Sequence, residues 1–111
     1  MVFLSKLFGK EEETKAAEAG PVAVQEVAQA QSIPAHKVGL DGNFDDSGLA
    51  KRVAKALDDA DISDHVGLWV AQTESTVVLR YNEDAESVLE QAKTVAGNVE
   101  GATGVTAEPN T

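Results

Sequence analysis

The chain has 111 residues, enough for one domain and its tails, and 42% of them are apolar, as in a globular protein. Nineteen acids against nine bases give a net charge of −10, which argues against nucleic-acid binding, where basic contacts to phosphate supply most of the affinity. The absence of cysteine excludes disulfides and thiolate metal sites.

Met1–Lys10 lacks a charged start, a long apolar run and a cleavage box, and nothing approaches the roughly twenty apolar residues that span a bilayer. The expectation is a cytoplasmic protein, with one variant that places it peripherally on the inner face of a membrane. In chain order, Phe3, Leu4, Leu7 and Phe8 fall at helical spacing, with Lys6 and Lys10 off that stripe. Val24, Val27 and Ala28 repeat the spacing after Pro21. Isolated helices this short are marginal in water, so residues 1–34 read as a flexible arm with a short amphipathic segment.

Residues 35–45 form a connector carrying Gly39 and Gly42. Asp45, Asp46 or Ser47 is expected to cap a helix running to about Asp59, with Leu49, Ala50, Val53, Ala56 and Leu57 on one stripe. After the turn 58–64, His65–Ala71 alternates Val66, Leu68 and Val70 against Gly67 and Trp69. Thr76–Tyr81 alternates Val77, Leu79 and Tyr81 against Thr76, Val78 and Arg80, so the two segments predict an antiparallel hairpin. Asn82 opens a second helix with stripe residues Val88, Leu89, Ala92, Val95, Ala96 and Val99 and an exit at Gly101. Thr103–Glu108 forms a third strand, stopped by Pro109, and 109–111 is a tail. The predicted fold is α+β, in the order αββαβ, with two helices on one face of a three-stranded mixed sheet.

That order resembles the BON domain family over roughly residues 46–108. The resemblance rests on Ala56 and Leu57 ending the first helix, Leu68 and Val70 in the first strand, and Val77 and Leu79 in the second. It continues through Ala92, Val95, Ala96, Val99, Gly101, Ala102 and Val105. The chain departs from the family at Gln72–Ser75, where the hairpin turn usually has glycine, and at Tyr81, where glycine often follows the second strand. The resemblance implies a non-enzymatic module, associated variously with phospholipid surfaces, envelope proteins, stress responses or potassium sensing.

Strand alternation places Trp69, Val78 and Arg80 together on the sheet face away from the helices. Tryptophan and arginine are enriched at the centres of protein interfaces, which makes these three the candidate partner-binding residues. Residues 22–40 folding back over that face is the competing reading. The candidate membrane contacts are Phe3, Leu4, Leu7 and Phe8 with Lys6 and Lys10, opposed at once by Glu11, Glu12 and Glu13.

Asp41, Asn43 and Asp45 match the start of a calcium loop, but Asp46 stands where it needs glycine and Arg52 where it needs glutamate. Asp58, Asp59, Asp61 and Asp64 read as a solvated acidic turn. His36 and His65 show no metal-binding spacing, and no serine lies in a nucleophile elbow. The expectation is therefore no catalytic residue, no metal and no cofactor. The leading functional reading is a binding or adaptor module that engages a protein partner or itself through the open sheet face and the arm. The alternatives are a peripheral phospholipid-binding protein with weak membrane contact, and a monovalent or divalent cation sensor.

Overall fold

In the computed structural model, residues 2–12, 14, 23–62 and 67–109 are described. Four α-helices among them are α1 (Val2–Phe8), α2 (Val24–Gln31), α3 (Gly48–Asp59) and α4 (Glu86–Gly97). The strands are β1 (Leu68–Thr73), β2 (Thr76–Tyr81) and β3 (Gly104–Pro109), and short 3-10 turns occupy Ala35–Lys37 and Glu83–Ala85. The sheet order is β1-β2-β3, with β1 antiparallel and β3 parallel to β2. From α3 onward the order is αββαβ, as the periodicities predict.

Alternation decides which sheet face is buried. Leu68, Val70, Val77 and Leu79 point to one side and are almost fully enclosed, together with Leu49, Val53 and Leu57 of α3 and Ala92 and Ala96 of α4. Ala54, not Ala56, completes the α3 stripe. The predicted caps give way to a longer-range one. Ser47 precedes α3 without a side-chain cap bond, and the Ala50 N–H is taken instead by Oε1 of Gln72 at 2.8 Å. Asp45 closes a local turn by accepting from the Ser47 N–H at 2.9 Å. Gln72 also donates through Nε2 to the carbonyls of His36 and Glu74, both at 3.0 Å. This staple lies beside the hairpin turn, in which Glu74 takes the left-handed φ of 53°.

The expected flexible arm is corrected over its described N-terminal part. Phe3 and Leu4 are fully buried in the main core, and Leu7 and Phe8 pack against it. Asp58 on α3 accepts from the Phe3 N–H at 2.7 Å and the Leu4 N–H at 3.0 Å, satisfying donors that a helix start leaves open. Beyond α1, Lys51 Nζ bridges Glu12 at 2.8 Å and Asp45 at 2.7 Å. A seven-residue helix gains little from its own hydrogen bonds, so burial of its apolar side fixes it. Periodicity reports that such a side exists, not whether a groove receives it.

Candidate binding face

The outward side of the sheet is built by register. Trp69 lies opposite Arg80, which lies opposite Glu108, and Ala71, Val78 and Thr106 form the neighbouring row. Trp69 is 36% exposed, Ala71, Arg80 and Glu108 are exposed, and Val78 is half-buried. Arg80 Nε and a Glu108 carboxylate oxygen are 3.7 Å apart, a pair that is open to solvent and weak. The structure thus places Trp69, Val78 and Arg80 on one surface. The parallel pairing of β3 adds Thr106 and Glu108, which sequence reasoning missed because strand alternation does not give a partner register.

Residues 22–40 do not cover this surface in their described part. Val24 and Ala28 of α2 pack with Val38 in a second, smaller core, flanked by Val27, Ile33 and Ala35. Gln25 reaches Glu100 at 3.0 Å, which ties α2 to the turn before β3. An open groove of about 640 Å³ lies at that junction, walled by Gln25, His36, Ser75, Asn98, Glu100 and Thr103 among others. Its hydroxyls are engaged with each other, Ser75 Oγ to Thr103 Oγ1 at 2.7 Å.

Beneath the groove lies a residue that the helical stripe had set outside. Arg52 is 9% exposed, and its guanidinium donates to three backbone carbonyls: Val38 at 2.8 Å, Ala35 at 2.6 Å, and Glu100. Burial pushes its pKa down to about 10, opposed by the charge of Glu100, and it remains a cation at neutral pH. Arg52 therefore joins the connector, α3 and the turn before β3. Gly101 completes the junction. Its φ is 96°, and a β-carbon there would lie 3.1 Å from the Ala35 carbonyl group. The helical stripe gave no signal for Arg52, which falls beside it with Lys51 and Lys55; its three acceptors lie in the connector and in the turn before β3.

Several of the other flagged acids have structural roles. Asp41 accepts from the backbone and side-chain amides of Asn43, at 3.0 and 3.1 Å. Asp45 binds Lys51, Asp58 caps α1, and Asp59 pairs with Lys55 at 2.8 Å. Asp64 and His65 lie outside the described residues. Of the proposed membrane contacts, Lys6 and Lys10 are exposed, whereas Phe3 and Leu4 are inside the core. No helix among the described residues is long and apolar enough to cross a membrane.

Comparison with family models gives no match for this chain, and neither the curated proteins nor the solved structures yield one.

Proposed function

We propose that this chain is a non-enzymatic, BON-like binding module that engages a protein surface, foreign or its own, through the open sheet face. One observation carries the reading: Trp69 stays 36% exposed on the sheet beside Ala71 and Val78, whereas the apolar sides of the described α-helices are packed into the two cores and the other exposed large aromatic, Phe44 at 54%, lies in the connector beside Lys37. A large aromatic left at the surface beside small and aliphatic neighbours suits the centre of an interface, where burial of such side chains dominates the energy. The αββαβ order and the close turn at Gly101 support the BON-like assignment.

Membrane contact through Phe3, Leu4, Leu7 and Phe8 would first require α1 to leave the core. That step gives up about 1.5–3 kcal/mol for each fully buried side chain. The sheet face needs no such rearrangement, and so it carries the proposal.

A photo-crosslinking amino acid at Ala71, on the open face, is compared in the protein's own cells with the same group at Glu90, an exposed position on α4. A discrete adduct from position 71, absent from position 90, is the expected result. Equal adducts from both positions, or none from 71, would overturn the reading.

A further inference from the structure

We infer that the β1 edge of the open face pairs antiparallel with β1 of a second copy of this chain, joining the two sheets into one of six strands, with Trp69 meeting its partner across that junction. The inference rests on the binding-module reading and names its partner.

The two sheet edges are unequal. β3, one edge, ends in Glu108 and Pro109, a charge and a residue without an amide donor, both of which discourage strand addition. β1, the other edge, is Leu68-Trp-Val-Ala-Gln-Thr73, six residues without charge, glycine or proline. It pairs with β2 residue for residue, from Leu68 with Tyr81 to Thr73 with Thr76, so no bulge twists it away. Among the described residues, no backbone hydrogen bond joins β1 to any element except β2. The strand itself carries no charge, proline or bulge of the kind that normally blunts an edge.

Self-pairing suits this strand for two reasons. A two-fold axis perpendicular to the sheet makes β1 antiparallel to its copy and keeps both Trp69 faces on one side. Centred on Val70, it sets Trp69 of each copy opposite Ala71 of the other, so the apolar patch becomes continuous across the junction. The charges also decide how association responds to salt. Each copy carries −10, yet none of that charge is on β1, so the repulsion is long-range and screened over roughly 10 Å at 0.1 M salt. Association must then strengthen with added salt, the reverse of what a basic partner would show.

The test is the solution mass of the full chain by light scattering, over about a hundredfold range of concentration and at low and high salt. The expected result is a rise from one chain mass of 11.6 kDa toward twice that, at lower concentration when salt is high. Ala71→Lys and, separately, Thr73→Lys place a charge at exposed edge positions and are expected to remain monomeric with an unchanged circular dichroism spectrum. A wild-type mass fixed at one chain, or a dimer that both folded variants retain, would overturn the inference. A strictly monomeric chain that still gives a heterologous adduct from position 71 would leave the binding-module reading intact and remove only the self-pairing.

Discussion

Arg52 shows how one side chain can hold three segments that are distant in sequence. Its guanidinium answers the carbonyls of Ala35, Val38 and Glu100. Replacing it with methionine keeps much of the stem but leaves those carbonyls without their donor, and each buried unsatisfied group costs about 1–3 kcal/mol. Arg52→Met is expected to lower the urea-unfolding free energy by about 3 kcal/mol or more, with Arg52→Lys recovering only part, because an ammonium cannot span three diverging carbonyls as the planar fork does. A loss below about 1 kcal/mol would mean that the carbonyls find other partners. Gly101→Ala at the same junction combines a positive φ with contact at Ala35, and a loss of about 1–2 kcal/mol is expected in the same assay.

At the scale of elements, α1 was legible as an amphipathic segment but not as part of the core. Its four apolar residues announced one face, whereas the core that receives it lies far along the chain, the carboxylate of Asp58 being 55 residues from Phe3 and 54 from Leu4. Phe3→Ala is therefore expected to cost about 3–5 kcal/mol in chemical denaturation, the cost of a truncated core aromatic. An arm without structural role would show no change. The clasp behind α1 adds a pH dependence. Desolvation lowers the Lys51 pKa, but the hydrogen bonds and charges of Asp45 and Glu12 outweigh it, and the net shift is upward from 10.5. A raised folded-state pKa means that the contribution is complete below 10.5 and lost as pH climbs through the folded value. The stability gap between wild type and Lys51→Met, measured by urea unfolding, should thus hold at neutral pH and shrink in strongly alkaline solution.

The strands and α4 could be read to within a few residues because alternation and helical periodicity are local properties. The caps could not. Gln72 serves α3 from the far strand, and Asn82 gives way to a 3-10 turn before α4 begins at Glu86. The outward face was half legible: alternation grouped Trp69 with Val78 and Arg80, but Thr106 and Glu108 joined them only through the parallel register of β3.

At the scale of the molecule, the helices spend their apolar stripes on one side of the sheet, and α2 spends its own on a second small core. What is left is a tryptophan-bearing face on a strongly acidic protein, bounded by one protected edge and one unprotected edge. The central claim is that this face is the contact surface and that Trp69 anchors it. The most direct measurement is the yield of adduct from a photo-crosslinking group at Ala71, on the same face and on β1, with and without Trp69→Ala. The account predicts a discrete adduct that falls by tenfold or so when the tryptophan is removed, the effect of losing about 1.4 kcal/mol at a binding centre. An adduct of equal yield in both proteins would contradict it.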